Sequence, residues 1–321
     1  MIDSAKMVVY AGRSNPGLAR KICRYLDNGS GSNDMVLNSN FSDGEVRIEF
    51  KDNIRLRDVF LIQSTNQPDQ NLIELLLMID AAKRASAARI TAVIPYFGYG
   101  RQDRKDESRA PIAASLMIKI LVAAGANRII TMDLHAGQIQ GFADIPIDNL
   151  YGKPVLVKYV LEYFAGRLHE VVVASPDVGG IKRARAYAKK INNAPLVIVD
   201  KRRPQPNAVE VVNIIGEVKN KIVLVIDDII DTAGTFVDGA KAIVAAGAQE
   251  VYGVCTHPVL SGGAVDRLIS SPVNSLLVTD TISLSNQALI CPKIKVVSVA
   301  NIIAEAMLRS RTGESVSDLF N

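Results

Sequence analysis

The residues best suited to chemistry lie in DDIIDTAGT, residues 227–235. An apolar run over 222–226 ends in two adjacent carboxylates, Asp227 and Asp228; Asp231, Thr232, Gly234 and Thr235 follow before a helical pattern opens at Phe236. Ligands of open α/β sheets bind beyond the carboxyl ends of the strands. A helix N-terminus adds N–H groups without partners and the positive end of a dipole, which suits a phosphate. The two threonine hydroxyls supply further donors, and Gly234 lets backbone approach a ligand. Paired acids suit ribose hydroxyls or a Mg²⁺-bound diphosphate. Helix capping accounts for one Asp or Thr at such a place, and this segment holds more than capping needs. It is neither a Walker loop, lacking Gly-Lys-Ser/Thr, nor a dinucleotide glycine fingerprint.

Five other segments carry candidate chemistry. SPDVGG (175–180) closes a second strand; its glycines permit close backbone approach, and Asp177 can meet a metal or a sugar. By itself it reads as a plain βα turn. DLHAGQIQGF (133–142) places Asp133 and His135 two apart beyond a strand, suited to a metal or an ATP phosphate. His257 reads as structural. YFGYGRQDRK (96–105) leads from aromatics and glycines into mixed charge, with Arg101 and Gln102 as nucleotide contacts or the loop as a solvated one. DKRRP (200–204) ends a strand in three cations before proline, a segment able to close over a transferring phosphoryl group. FSDGE (41–45) is either a simple hairpin or a base-stacking Phe41 flanked by acceptors Asp43 and Glu45.

These segments must be held by an alternating framework. Apolar runs at 6–10, 59–62, 90–94, 129–132, 171–174, 196–199, 222–226, 251–255, 276–278 and 295–299 read as strands. Most are Val/Ile runs without polar alternation, as expected of strands covered on both faces. Helical patterns occupy 71–85, 112–124, 182–191 and 236–246, giving an α/β fold with mostly parallel sheets flanked by helices. VAAGANRI (122–129) parallels VAAGAQEV (244–251), each a helix end, a glycine stop and a new strand; the shared register sets His135 and His257 beyond equivalent strands. This fits two similar domains, 1–150 and 151–321, meeting at turn signals around 149–153. The 321 residues also suit two domains at about 150 each.

Composition excludes several classes. Apolar residues are 48% and charged ones 22%, so the chain can bury a core. The net charge of +4 is too small to imply nucleic acid as a partner. Three scattered cysteines, Cys23, Cys255 and Cys291, suggest neither a disulfide framework nor a zinc site, and a reduced cytoplasmic setting fits. No stretch reaches the roughly 18 apolar residues of a membrane span, and the N-terminus does not read as a signal peptide.

The loop at 227–235 resembles the phosphoribosyl-binding loop of type I phosphoribosyltransferases. Together, FSDGE, YFGYGRQDRK, DLHAGQIQGF, SPDVGG, DKRRP and DDIIDTAGT resemble class I ribose-phosphate diphosphokinase (PRPP synthetase) over about residues 10–320, in the family's order. The resemblance implies two tandem phosphoribosyltransferase-like domains: an N-terminal one (1–150) on the ATP and regulatory side and a C-terminal one (151–321) on the ribose 5-phosphate side, its tail near the regulatory site. It implies diphosphoryl transfer from Mg²⁺-ATP to the 1-hydroxyl of ribose 5-phosphate, giving PRPP and AMP for nucleotide biosynthesis. By resemblance, Arg203, Asp227, Asp228, Asp231, Thr232, Ala233, Gly234 and Thr235 bind ribose 5-phosphate, and Lys201 and Arg203 are catalytic. Phe41, Asp43, Gly44, Glu45, Arg101, Gln102 and His135 bind ATP, the first four from a neighbouring subunit of a homohexamer. His135 and Asp177 hold Mg²⁺, and inorganic phosphate is an allosteric activator.

The chain departs from the family's usual residues at Leu56 (commonly Gly), Gly100 (Ala), Ser115 (Lys), Ala143 (Phe) and Gln205 (Arg). None of these is a proposed catalytic group. Leu56 and Ser115 lie near segments tied to phosphate activation and ADP inhibition. A non-catalytic paralogue and a PRPP-consuming transferase are the competing readings. Retention of Lys201, Arg203, His135 and Asp177 disfavours the first, and the ATP-type segments disfavour the second.

Overall fold

The computed structural model describes residues 7–26, 37–202 and 211–320, which divide into two compact units. The first contains residues up to Tyr151 together with Thr281–Ser283 and Ser298–Asn321; the second contains Gly152–Asp280 and Leu284–Val297. The split near 150 lies where the turn signals lie. The end of the chain differs from the expected 151–321 domain, because helix α9 (Ala300–Thr312) packs along α1 (Pro16–Leu26) of the first unit.

In the first unit, β1 (Met7–Ala11), β4 (Asp58–Ile62), β5 (Arg89–Ile94), β6 (Arg128–Met132) and β7 (Ile147–Leu150) form one parallel sheet in that order. The inner strands β4 and β5 are nearly continuous apolar runs, and β4, β5, α2 (Gln70–Arg84) and α3 (Ala113–Ala124) share one buried core. A separate antiparallel hairpin, β2 (Leu37–Asn40) and β3 (Val46–Glu49), carries residues 41–45 at its tip. Its β3 packs on α2.

In the second unit, seven strands run β10-β9-β8-β11-β12-β13-β14: β8 (Val171–Ser175), β9 (Leu196–Arg202), β10 (Val211–Ile215), β11 (Ile222–Ile230), β12 (Glu250–Pro258), β13 (Ser275–Thr279) and β14 (Ile294–Val297). All pairings are parallel except β9 with β10. Alternate residues of β11 serve two cores. Ile222, Leu224 and Ile226 face α4 (Lys153–Tyr163) and α5 (Ile181–Lys190), whereas Val223 and Val225 face α6 (Gly234–Ala245), α7 (Ala264–Ile269) and α8 (Asn286–Ile290). That double burial explains the unbroken Val/Ile runs.

The two AAGA junctions are both helix ends stopped by a left-handed glycine: Gly125 at φ 127° and Gly247 at φ 95°. The histidines beyond them part company, however. His135 lies past the end of β6 and is exposed, whereas His257 is inside β12 and buried. The expected strand at 295–299 is shifted to Ile294–Val297. Among the described residues no helix is long and apolar enough to cross a membrane.

Gly253 on β12 decides how closely α6 approaches the sheet. A Cβ there would lie 2.5 Å from Phe236 Cζ and 2.6 Å from Leu276 Cδ1. Gly253→Ala should therefore cost about 1–3 kcal/mol in urea unfolding by overpacking, and Phe236→Leu in the same chain should recover part of it. An unchanged midpoint for Gly253→Ala would show that α6 moves freely.

Candidate active site

Sequence order reverses in the second sheet between β8 and β11: the chain passes from β8 outward to β9, then returns to β11 and proceeds the other way. Such a switch point opens a crevice at the carboxyl ends of the strands. Ser175–Gly180 leads out of β8 there, and Asp231–Thr235 leaves β11, which runs past the expected end at 226 through Asp227 and Asp228 to Ile230. The structure thus brings together two of the loops singled out from sequence.

Asp228 is 4% exposed. Arg183, on the first turn of α5, places Nη1 3.3 Å from Asp227 Oδ1 and 3.1 Å from Asp228 Oδ1. Asp227 Oδ1 also accepts from the Asp228 N–H at 2.8 Å. One guanidinium between two buried carboxyl groups does not keep both ionised. Burial first, and then the neighbouring Asp228 carboxyl, push Asp227 up to about 8 against the pull of Arg183. Beneath them the fully buried Cys255 thiol donates to Asp228 O at 3.3 Å and to His257 O at 3.4 Å. Its pKa is held well above the ordinary value, chiefly by burial. That makes it a packing group rather than a nucleophile.

The next residues form an anion cradle. Ala233 is left-handed (φ 60°, ψ 2°), and α6 starts at Gly234. A left-handed residue followed by a right-handed one turns successive N–H groups, here of Ala233, Gly234 and Thr235, toward one concavity. A non-glycine residue in that conformation carries about 1–2 kcal/mol of strain, so the surroundings must hold it. Thr232 and Thr235 are exposed at its rim. Asp231 Oδ1 accepts from Ser261 Oγ.

Asp177 accepts from the Gly180 N–H through Oδ1 at 2.7 Å, and Ser175 Oγ donates to Asp177 O at 2.7 Å. One carboxylate oxygen therefore caps the start of α5, as in an ordinary βα turn, while Asp177 itself stays exposed. Lys201 belongs to β9, opposite Val212 of β10. Arg203 and Gln205 lie outside the described residues.

In the first unit, Arg101 and Gln102 are exposed on the loop after β5. The loop is pinned from below: Thr65 N donates to Tyr96 O at 2.9 Å and Gly98 N to Thr65 Oγ1 at 2.8 Å. A Cβ on Gly98 would sit 2.1 Å from Thr65 O, so no other residue fits. Gln138 Nε2 donates to Asp103 Oδ2, joining this loop to the one that carries His135. At the hairpin tip, Phe41 is 52% exposed with Arg47 6.0 Å from its ring centroid, Asp43 Oδ1 accepts from the Glu45 N–H at 3.0 Å, and Gly44 is at φ 95°. Arg13 Nη1 donates to Asn40 Oδ1 beside the hairpin tip, while Arg13 Nε bonds the buried Glu74 at 2.9 Å. His135 and Asp177, the expected metal pair, fall in different units.

Two participants were not legible beforehand. The sequence shows Arg183 only as one cation of a helix that also holds Lys182 and Arg185, and its pairing with Asp227 and Asp228 follows only from the order of β8 and β11. The segment after β12, which holds Ser261 and Arg267 against the cradle, had as its signal only SGG at a strand end.

Comparisons with known proteins agree with this arrangement. The model for the N-terminal domain of ribose phosphate pyrophosphokinase matches residues 7–125, and the phosphoribosyl synthetase-associated domain matches 200–321. The ribose-phosphate pyrophosphokinase of Chlorobaculum tepidum is 54% identical over 313 residues, covering 98% of this chain and 94% of that protein. That of Burkholderia pseudomallei is 49% identical over 316 residues, covering 98% and 97%. The crystal structure of phosphoribosylpyrophosphate synthetase from Mycobacterium smegmatis superposes with a TM-score of 0.89 at 35% identity, covering 96% of this chain and 99% of that one.

Asp227 generates a test by its protonation. Its folded pKa of about 8 lies above the ordinary 3.8. Between those values the folded state binds more protons than the unfolded state, so this group's contribution is full below the lower value and is lost as pH rises toward the upper. The melting temperature of the ligand-free protein should therefore fall more steeply from pH 4 to 8 than that of Asp227→Asn. Parallel curves would show that Asp227 is ionised throughout.

Proposed function

We propose that this chain, which belongs to the ribose-phosphate pyrophosphokinase family, transfers the β,γ-diphosphoryl group of ATP to the 1-hydroxyl of ribose 5-phosphate, giving PRPP and AMP. It is a diphosphotransferase of nucleotide biosynthesis with two tandem phosphoribosyltransferase-like α/β domains. The observation that carries the substrate reading is the left-handed Ala233 at the start of α6, beside the paired carboxylates of β11.

The 5-phosphate enters the cradle of Asp231, Thr232, Ala233, Gly234 and Thr235, where N–H groups and two hydroxyls face the anion. Asp227 and Asp228 accept from the ribose hydroxyls, which fixes the sugar with its 1-hydroxyl outward. That oxygen attacks the β-phosphorus of ATP, the bond to the α-phosphate oxygen breaks, and AMP leaves. The reaction needs alignment and cations at developing charge more than covalent help. Lys201 and Arg203 supply the cations, with Arg203 also contacting ribose 5-phosphate. Arg101, Gln102 and His135 bind ATP from one subunit, and Phe41, Asp43, Gly44 and Glu45 from a neighbour. The exposed hairpin tip supports a contribution from a neighbouring subunit, and the homohexamer is carried by the family resemblance. No general base is assigned.

A divalent metal accompanies ATP in such chemistry. Among the described residues no group of three or more His, Cys, Asp or Glu side chains is placed to hold one. Asp177 brings one carboxylate whose Oδ1 is partly engaged, and His135 an exposed imidazole. A single carboxylate or imidazole of this kind suits Mg²⁺ held chiefly by water and phosphate oxygens, not an all-protein cage. When bound, the ion would neutralise charge on the transferring diphosphate. We place ATP binding and regulation in the first unit, which also takes up residues 298–321, and ribose 5-phosphate in the second, with a cytoplasmic location and inorganic phosphate as an allosteric activator.

AMP release from ATP, measured with Mg²⁺ and phosphate present, should depend on ribose 5-phosphate, and titrated ADP reads regulation in the same assay. No ribose-dependent AMP overturns the reading. Lys201→Ala should lower kcat by about 10²–10³-fold, as for a lost oxyanion donor. Asp228→Ala should weaken use of ribose 5-phosphate or Mg²⁺ in a protein that stays folded by circular dichroism. Insoluble protein would make that acid structural.

A further inference from the structure

The cradle is built on a strained alanine, and something must keep it in place. Three consecutive carbonyls leading into it are held from one side by the segment after β12. Leu260 N donates to Ile230 O at 3.0 Å, Ser261 N to Asp231 O at 3.1 Å, and Arg267 Nη1 to Thr232 O at 2.7 Å. The same Nη1 also donates to Gly262 O at 2.8 Å. Arg267 thus ties the turn of its own segment to the last peptide before Ala233. That turn is itself tightly bent, with Leu260, Gly262 and Gly263 all at positive φ.

The Thr232–Ala233 peptide is the first of the cradle. In a trans peptide the carbonyl and the N–H point in opposite directions. Holding Thr232 O on Arg267 therefore aims the Ala233 N–H away from Arg267. Without the guanidinium this peptide can rotate, and Ala233, which resists the left-handed conformation, relaxes out of it. An arginine is suited to the task because its planar fork gives charge-assisted bonds of fixed direction.

We propose that Arg267 is a positioning residue for the 5-phosphate of ribose 5-phosphate: it acts through the Thr232 carbonyl to preorganise the anion cradle. This rests on the functional reading above. Arg267 touches no reacting atom, so its loss should appear in ribose 5-phosphate affinity, not in the transfer step.

The test compares wild type with Arg267→Met, Arg267→Lys, Ala233→Gly and the double variant Arg267→Met/Ala233→Gly. The measurements are steady-state kinetics for both substrates and calorimetric titration with ribose 5-phosphate. Arg267→Met should raise KM and Kd for ribose 5-phosphate about tenfold, the scale of one lost charge-assisted bond. KM for ATP and kcat should stay within about twofold. Arg267→Lys should recover part of the affinity, and it keeps the comparison open if the methionine variant folds poorly. In the Ala233→Gly background, glycine holds the left-handed conformation without help, so removing Arg267 should cost about threefold or less. A merely structural role would lower active protein and kcat together, with no relief from Ala233→Gly. That result, or a KM for ribose 5-phosphate within twofold of wild type in Arg267→Met, overturns the proposal. Thr235→Val separates the two levels of the argument. If it leaves ribose 5-phosphate affinity unchanged, or if wild type makes no ribose-dependent AMP, the substrate reading fails first and the role of Arg267 falls with it.

Discussion

Two adjacent carboxyl groups inside a largely buried strand need a cation to meet them. Arg183 is that cation, and much of the second unit follows from its position. It can span Asp227 and Asp228 only because α5, which follows β8, starts beside the end of β11. That adjacency in turn requires the chain to leave β8 toward β9 and come back. The guanidinium does not neutralise both acids, and Asp227 holds its proton far above the ordinary carboxyl range. A site in this state is prepared for hydroxyl groups and for further positive charge, which is what a sugar accompanied by a metal-bound diphosphate brings.

The two units share a helix–glycine–strand junction but differ in what precedes it. In the first sheet the parallel strands succeed one another in chain order, β1-β4-β5-β6-β7, without reversal. In the second, the order turns back between β8 and β11. Among the described residues, the switch-point crevice lies in the second unit. The likeness of 122–129 and 244–251 extends to the backbone, since both glycines are left-handed. It does not extend to the histidines: β12 runs nine residues and absorbs His257 into the sheet, while β6 stops after five and leaves His135 outside. The same internal similarity thus supports one scaffold with two different surfaces.

Fully buried strands were the most legible part of the sequence, because double burial removes polar residues and leaves Val/Ile runs such as 171–174 and 222–226. Elements bounded by ambiguous residues were harder to see. Pro154 reads as a turn signal, yet it stands in the first turn of α4, where a missing N–H costs nothing. The apolar start of α9, Ile302 and Ile303, follows a strand-like run and carries no polar cap to separate them. At the site, the local parts of the cradle were legible because DTAGT is contiguous. Arg183 and Arg267 were not, because each meets its partner across tens of residues of chain, and only strand order specifies those meetings.

The distribution of charge shows why whole-chain arithmetic says little here. At +4 the chain is nearly balanced, but the balance is local, and three arginines show it. Arg13 is divided between the buried Glu74 and Asn40 beside the hairpin tip. Arg183 is divided between two acids. Arg267 is placed on neutral carbonyls, so its charge is not spent on a carboxylate in either bond. A guanidinium on carbonyls beside a helix N-terminus adds its field to that of the helix dipole. The cradle consequently combines directed N–H groups with the fields of Arg267 and the helix dipole at the ligand's phosphate end, while the carboxyl groups of Asp227 and Asp228 occupy the end that meets the sugar. Donors at 233–235 and carboxyl groups at 227–228, set along one loop, orient a sugar phosphate before any group on ATP is engaged.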